Sequence, residues 1–242
     1  VNTVLGEPWE EVGEAPSEER LMQRREAYPT RVVASSAPDE EPRIEIVVPR
    51  RAVVLTSMTD VQNNRLETQV MAWGRGEELW ALEYHVLYGD PSAEPIWLEL
   101  LELLTRPRHL ERGGVDFIRS SCIDSGYAAQ SVYGFVANRP VYGTPDGRIA
   151  YTWATKGFPG TGPVWPKKPG KSSMANVPVW PVKVDTAKDQ IASRAKTIEK
   201  PGPGFIHFPL TFGEDYFRQF TAEQAFDRVD SKGFPQRVWE MK

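Results

Sequence analysis

The architecture of the chain is set by one stretch, RAVVLTSMTDVQNNRLETQVMAW, from Arg51 to Trp73. An apolar, β-branched run from Ala52 to Leu55 leads to Asp60, and a second strand-like run starts at Leu66. Because β-branched residues favour strands and asparagine-rich segments favour turns, the stretch predicts a hairpin. A lone carboxylate at the end of a buried strand is costly unless a cation compensates it. The rest of the chain should therefore supply a partner for Asp60.

The elements that follow the hairpin predict a mixture of strands and helices. Alternating apolar residues indicate strands, and apolar residues three and four apart indicate amphipathic helices. In order, the predicted elements are strands ending at Asp60, from Leu66 to Trp73 and from Leu79 to Leu87, a helix from Ile96 to Thr105, a strand ending at Asp124, a helix from Tyr127 to Val136, and a strand from Ile149 to Ala154.

This order is typical of an α/β fold with a ribonuclease H-like mixed sheet flanked by helices. A helix lies between the third and fourth strands, so the fourth strand can run parallel to the first. In a ribonuclease H-like sheet these two strands are neighbours. We therefore expect Asp60 and Asp124, which close the first and fourth strands, to project from the same edge of the sheet.

The two ends of the chain carry weaker patterns. Residues 1–50 are predicted to be a linker, since apolar periodicity begins only at Ile44, and residues 51–242 are predicted to form one domain. Residues 158–181 hold many prolines and glycines and predict a long irregular excursion. The remaining predicted elements are a helix from Asp185 to Lys196, a strand from Phe205 to Phe208, a helix from Phe212 to Phe226 and a strand at Arg237–Glu240.

Composition excludes several classes of protein. No run approaches the roughly 18 apolar residues of a membrane span, and the acidic N-terminus lacks the apolar core of a signal peptide. The single Cys122 excludes an internal disulfide and a cysteine-rich zinc site. The chain lacks an initiator methionine, and we expect it to begin inside a longer polypeptide. Its net charge is −4, but residues 151–200 hold 9 basic and 3 acidic residues, which predicts either a phosphate-binding surface or a solvated face.

The pair Asp60 and Asp124 is the strongest candidate for chemistry. Two carboxylates close together repel each other unless a cation lies between them. Hard oxygen ligands select Mg²⁺ or Mn²⁺, and two such ions can bind the attacking water and the leaving oxygen of a phosphodiester. The alternative is that both aspartates only cap turns.

Six segments of the chain together resemble lambda-type phage terminase large subunits. The resemblance implies the nuclease domain of a DNA-packaging motor, which cuts concatemeric double-stranded viral DNA at genome ends in the host cytoplasm. It also implies the terminase small subunit and the portal as partners, and an ATPase domain that precedes residues 2–7. The segments are NTVLGEPW at 2–9, TDVQNNRLE at 59–67, WGRGEE at 73–78, GDP at 89–91, IDSG at 123–126 and VDTAK at 184–188.

The same resemblance implies the metal ligands. Asp60 and Asp124 match two of the metal-binding acids of the family. A third acid of the family follows the tryptophan that matches Trp239, and this chain stops at Lys242. We therefore expect the C-terminus to be truncated, the third ligand to lie beyond Lys242, and the domain alone to have low activity. Glu67 could contribute a ligand from the second strand, but we expect it to be an exposed strand residue.

Several lysines are candidates for contacts with DNA. Lys156 ends the fifth strand, where it could reach the same edge and stabilise charge on a scissile phosphate; a solvated lysine is the alternative. Lys167, Lys168 and Lys171 follow in the Pro/Gly-rich segment and could grip the DNA backbone. The interleaved tryptophans, Trp153, Trp165 and Trp180, are expected to pack that segment down.

The sequence leads to one primary hypothesis and two alternatives. The primary hypothesis is a Mg²⁺- or Mn²⁺-dependent endonuclease in which Asp60 and Asp124 bind metal and Lys156 assists. The first alternative is a non-catalytic module that grips DNA or docks on the portal, for which both aspartates would be dispensable. The second alternative is a transposase-like nuclease of the same fold, which would form strand-transfer products.

Overall fold

The computed structural model describes residues 13–33, 42–138, 141–144, 147–172, 177–229 and 233–242. The helices are α1 (Glu18–Gln23), α2 (Glu94–Thr105), α3 (Ala129–Asn138), α4 (Val184–Thr197) and α5 (Glu214–Phe220). The strands are β1 (Arg25–Glu26), β2 (Thr30–Val33), β3 (Arg43–Ile46), β4 (Val54–Val61), β5 (Arg65–Trp73), β6 (Leu79–Tyr88), β7 (Arg108–His109), β8 (Val115–Asp116), β9 (Ile118–Asp124), β10 (Val141–Gly143), β11 (Ile149–Phe158), β12 (Gly170–Lys171), β13 (Pro178–Lys183), β14 (Ile206–Pro209), β15 (Glu223–Val229) and β16 (Pro235–Met241).

Strand β4 lies in the middle of the main sheet. Across the described residues the strand order is β1-β14-β6-β5-β4-β9-β11-β13-β12, with β10 beside the start of β11. β4 runs antiparallel to β5 and parallel to β9, and β9 runs parallel to β11. The predicted ribonuclease H-like mixed sheet, with its first and fourth long strands adjacent and parallel, is confirmed.

Paired hydroxyl groups hold the register of the central strands. On the buried face of the sheet, Ser57 Oγ donates to Ser121 Oγ at 2.9 Å, which joins β4 to β9. The hydroxyls of Thr59 and Thr68 lie 3.0 Å apart and join β4 to β5. A slip of one residue would turn these side chains to the other face and leave buried polar groups without partners. The register that places Asp60 is therefore specified by polar pairs as well as by apolar alternation.

Helices cover both faces of the sheet. On one face, α2 and α3 bury Leu100 and Val132 against Ile123. On the other face, α1, α4 and α5 contribute Leu21, Ala195 and Phe217 to a second, smaller cluster. None of the helices in the described ranges is long and apolar enough to cross a membrane.

The described part of residues 1–50 packs against the sheet. Strand β1 pairs in parallel with β14, and Leu21 of α1 is 1% exposed. Arg25 Nη1 donates to the backbone carbonyl of Phe212 at 2.8 Å. The boundary predicted at residue 50 stays a prediction, but this segment contributes an edge strand and core residues to the domain.

The predicted irregular excursion at residues 158–181 is partly wrong. β11 continues to Phe158, and β13 begins at Pro178 and runs parallel to β11. Prolines disfavour a strand here because proline has no N–H group to donate a hydrogen bond to a neighbouring strand. Proline is tolerated at the edge of a sheet, and β13 lies near the edge, where its outer partner β12 is only two residues long.

The predicted helix from Phe212 to Phe226 is also wrong beyond its first half. α5 ends at Phe220, and β15 then pairs along its whole length with β16. The apolar spacing of the aromatic residues in α5 predicted the helix correctly, but only the pairing with β16 makes the following residues a strand. The predicted strand at Arg237–Glu240 is confirmed within β16.

Phe208 tests the smaller core. Its side chain is 1% exposed and contacts the rings of Phe217 and Phe220, with centroid distances of 5.1 and 5.6 Å. We expect Phe208→Ala to lower the free energy of unfolding by about 3–5 kcal/mol, because it leaves a cavity among aromatic rings. Leu210→Ala is the matched control, since Leu210 is 58% exposed. Urea titration measures both, and equal effects of the two variants would contradict the assigned core.

Candidate active site

Asp60 and Asp124 lie side by side at the ends of β4 and β9. The parallel register pairs Thr59 with Ile123, so the next residue on each strand is an aspartate. Paired residues on neighbouring strands point to the same face of a sheet, and both carboxylates therefore project from one face at one edge. The structure brings together the two acids that the sequence singled out; their role as metal ligands stays a prediction.

The Asp124 carboxylate lies in a partly buried turn. Burial raises the pKa of the Asp124 carboxyl, and the neighbouring Asp60 carboxylate raises it further. Hydrogen bonds from the backbone N–H groups of Gly126, Ser125 and Gly157 act in the opposite direction, and the distance from Gly126 N to Asp124 Oδ2 is 3.1 Å. The carboxylate is held in place, but too little positive charge lies near it to offset its burial. A bound cation would stabilise the charged carboxylate in this environment.

The turn after Asp124 is built around Ser125 and Gly126. Both the backbone N–H and the hydroxyl of the buried Ser125 donate to the carbonyl of Thr155 at 2.8 Å. A Cβ on Gly126 would lie 2.7 Å from Asp124 Oδ2, so only glycine allows the backbone to approach the carboxylate this closely. The turn therefore fixes the carboxylate relative to β11.

Asp60 opens onto a groove of about 590 Å³. Its side chain is exposed and accepts a hydrogen bond from Gln62 Nε2 at 2.9 Å. The far wall of the groove is formed by α4, the end of α5 and the β15–β16 hairpin. The residues that line it are Pro16, Asp60, Gln62, Glu67, Lys188, Ile191, Ala192, Gln219, Phe220, Ala222, Glu223, Trp239 and Met241.

The far wall contains an ion pair that the sequence did not reveal as part of this site. Lys188 Nζ lies 2.6 Å from Glu223 Oε2 and 2.7 Å from Oε1. The hairpin is tied to α4 by Asp189, which accepts from Arg237 Nε at 2.9 Å and from Trp239 Nε1 at 3.1 Å. Glu223 was missed because its segment was predicted to be helical, and no local pattern places a β-hairpin beside Asp60.

The Glu67 side chain is less exposed than predicted. It pairs with Asp60 across the β4–β5 ladder, and it is half-buried rather than exposed. Burial raises the pKa of Glu67, but hydrogen bonds from Tyr84 and Arg65 outweigh it and leave the pKa lowered. Arg65 Nε binds one carboxylate oxygen at 2.7 Å and the Tyr84 hydroxyl binds the other at 2.5 Å. Both oxygens of Glu67 already have partners.

Lys156 lies at the expected end of the sheet but points away from the two acids. Thr155 pairs with Asp124 in the β9–β11 register, so Thr155 shares the face of the acids and the next residue alternates to the opposite face. The Lys156 side chain is exposed. To approach a phosphate beside Asp124, it would have to bend around the end of β11.

The three further lysines lie beyond that strand. Lys167 and Lys168 are exposed on the segment between β11 and β12, and Lys171 is exposed in β12 at the edge of the sheet. Trp165 packs edge-on against Trp180, with ring centroids 6.4 Å apart, as the predicted packing of this segment requires. The structure does not bring these lysines into the groove at Asp60.

The two aspartates satisfy the simplest requirement for a hard cation. Mg²⁺ takes oxygen ligands and is often held by one or two carboxylates together with several waters. Within the part of the chain that the structure describes, no group of three or more His, Cys, Asp or Glu side chains is arranged to hold a metal ion. Asp60 and Asp124 thus fit one hydrated cation, and a second ion would need a ligand from outside this set.

The sequence matches a known family over its full length. The model described as "Terminase large subunit gpA, endonuclease domain" matches residues 1–242. Similar curated proteins are the terminase large subunits of Escherichia phage lambda, 29% identical, and Enterobacteria phage P21, 27% identical. Both alignments cover 100% of this chain, which spans 35% of the length of each relative.

Two solved structures are similar over most of the chain. One is the large terminase nuclease from thermophilic phage G20c, with a TM-score of 0.43 and 11% identity over 93% of this chain and 89% of that one. The other is the same nuclease with bound magnesium, with a TM-score of 0.44 and 10% identity over 94% and 88% of the two chains. The magnesium belongs to that nuclease and assigns no ligand in this chain.

Asp124 has a testable effect on stability. A carboxyl whose pKa is raised in the folded protein binds its proton more tightly there than in the unfolded chain, so stability falls as pH rises through that range. With divalent cations removed, we expect Asp124→Asn to unfold at a higher temperature than wild type at pH 7, because the amide carries no charge. The difference should shrink in acid, where Asp124 is protonated in both states.

Thermal unfolding in a chelator across this pH range measures the effect. Asp215→Asn is the matched control, because the Asp215 side chain is 94% exposed. A variant of Asp124 that is less stable than wild type at pH 7 would show that the carboxylate stabilises the fold without a cation.

Proposed function

We propose that this chain, which belongs to the family of terminase large subunit gpA endonuclease domains, cuts DNA by metal-dependent hydrolysis of a phosphodiester. The observation that carries the proposal is the placement of Asp60 and Asp124 on one face at the ends of adjacent parallel strands. These are oxygen ligands of the kind that Mg²⁺ and Mn²⁺ prefer.

Each acid has a distinct task. Asp124, held by backbone N–H groups, is the fixed ligand that sets the position of the cation, and the more exposed Asp60 completes the pair. A cation held by Asp60 and Asp124 would neutralise charge on the phosphodiester and would lower the pKa of a bound water. We propose a two-ion site, in which the further ligand is the acid that the family carries after the tryptophan matching Trp239.

Two lysines are candidates to contact the scissile phosphate. Lys156 is exposed at the same end of the sheet, and its long side chain can bend around the strand end toward the phosphate. Lys188 lines the groove at Asp60, where its ion pair with Glu223 leaves it partly exposed. Positive charge fixed beside the phosphate stabilises the charge that develops in the transition state.

The substrate we propose is double-stranded, concatemeric viral DNA, cut at genome ends. Lys167, Lys168 and Lys171 form an exposed basic segment that can bind the backbone outside the groove. The similar curated proteins are large subunits of phage terminases. Accordingly, we propose that a protein containing this domain works with a terminase small subunit and a portal in the host cytoplasm, and that residues 1–50 join the nuclease domain to an ATPase domain.

Substitution of Asp60 tests the proposed activity directly. In a supercoiled-plasmid assay with Mn²⁺, we expect wild type to produce nicked and linear DNA. Asp60→Asn should lower the rate on the order of 100-fold, because the cation loses a charged ligand. Asp215→Asn, a substitution at an exposed aspartate, should leave the rate unchanged.

Equal rates for wild type and Asp60→Asn would overturn the assignment. A different pair of results would favour a non-catalytic DNA-binding or portal-docking module. DNA binding would be salt-sensitive but unaffected by substitution of Asp60 or Asp124, and crystals would show no anomalous scattering from Mn²⁺ at this edge of the sheet.

Gly126 provides a test that alters the site without removing a ligand. A Cβ at this position would press on Asp124 Oδ2, so we expect Gly126→Ala to displace the carboxylate and weaken Mn²⁺ binding roughly 10-fold. Gly134→Ala is the control, since Gly134 lies in α3 with nothing within 4 Å of the added Cβ. Isothermal titration with Mn²⁺ measures both affinities. Unchanged affinity in Gly126→Ala would exclude Asp124 as a ligand.

A further inference from the structure

Four aromatic rings form a continuous surface beside the two acids. Tyr151 and Trp153 stack with ring centroids 5.4 Å apart and an angle of 12° between the planes. Trp180 meets the edge of Trp153 at 5.9 Å, and Trp165 meets Trp180 at 6.4 Å. We refer to Tyr151, Trp153, Trp165 and Trp180 as the aromatic surface.

Register places three of the rings, Tyr151, Trp153 and Trp180, on the same face of the sheet as the acids, and Trp165 packs against Trp180. Thr155 pairs with Asp124 on one side and with Trp180 on the other, so all three residues share a face. Trp153 lies two residues before Thr155 on β11 and points to that face as well. Trp180 is two strands from Asp124, which corresponds to roughly 10 Å across the sheet. The rings therefore lie within reach of a DNA strand whose scissile phosphate is at the acids.

The outer rings of the surface are open to solvent. Trp165 is 49% exposed and Tyr151 is 40% exposed, whereas Trp153 and Trp180 are half-buried. Trp153 is anchored by a hydrogen bond from its Nε1 to Ser120 Oγ at 2.9 Å. The inner rings thus pack the segment down, as the sequence predicted, but packing does not account for the two exposed rings.

The charge around the aromatic surface favours a nucleic acid as its occupant. Lys167 and Lys168 follow Trp165 within three residues, and Lys171 lies on the adjacent edge strand; all three are exposed. Aromatic rings next to a basic segment are the combination with which proteins hold single-stranded nucleic acid, since rings stack on bases and lysines contact phosphates.

We propose that the aromatic surface stacks on unpaired bases of the DNA strand next to the cleavage site. Bases in an intact duplex stack on each other and cannot lie on these rings, so the ligand is a locally single-stranded segment of the DNA. This inference rests on the proposed nuclease function for the position of the strand. The stacking itself requires only the rings and the lysines.

Binding without divalent cations tests the proposal while cleavage is prevented. The probes are a fluorescently labelled DNA duplex and the same duplex with three unpaired thymines at its centre, compared by fluorescence anisotropy. Wild type should bind the interrupted duplex roughly 10-fold more tightly, as expected for the stacking of one base. Trp165→Ala and Tyr151→Ala should each reduce that preference, and Trp165→Phe should retain most of it.

Phe158→Ala is the matched control. Phe158 is 42% exposed on the same strand as Tyr151, but it alternates to the opposite face of the sheet. Its substitution should leave the preference for unpaired bases unchanged. Thermal unfolding of each variant shows whether it has folded, and Trp153 is left intact because it anchors the segment.

Three results would overturn the proposal. One is a wild-type protein that binds both duplexes equally, and another is a Trp165→Ala variant that keeps the full preference. The third is concentration-dependent self-association that Trp165→Ala abolishes, which would make the surface an interface between copies of this chain. Plasmid nicking by wild type and Asp60→Asn is measured separately, so loss of nuclease function and loss of base stacking give different outcomes.

Discussion

The parallel pairing of β4 with β9 is the constraint on which the rest of the structure depends. Hydroxyl pairs at Ser57–Ser121 and Thr59–Thr68 hold three central strands in register on the buried face. Since side chains alternate along a strand, the same register places Asp60 and Asp124 together on the opposite face. Hydrogen bonds in the core thus specify the separation of two charged groups that would otherwise repel each other.

The acid pair carries an electrostatic cost that the fold reduces but does not remove. Backbone N–H groups around Gly126 stabilise the Asp124 carboxylate, while burial and Asp60 destabilise it, and the net effect is a raised pKa. Positive charge lies nearby on Lys188, but Glu223 holds it in an ion pair. The divalent cation that we propose would supply the missing counter-charge, and the imbalance that raises the pKa of Asp124 would then favour metal binding.

The face that carries the acids also carries the aromatic surface, because β11 and β13 continue the same register. Trp180 and Asp124 both pair with Thr155, which places a ring and a carboxylate in one row across three strands. The groove at Asp60 and the rings near Asp124 therefore form two parts of one extended face. We propose that the first part binds a phosphate and a cation and that the second part stacks on bases.

Local sequence determined the central hairpin, the strand ending at Asp124 and the two helices on the large core, because each has its own period of apolar residues. Residues 2–9, which carry part of the family resemblance, lie outside the described residues. Only the tertiary structure decided that β15 is a strand, that Lys188 and Glu223 face Asp60, and that Lys156 turns away from the acids. These features depend on pairing between segments far apart in the chain, which no local pattern of residues encodes.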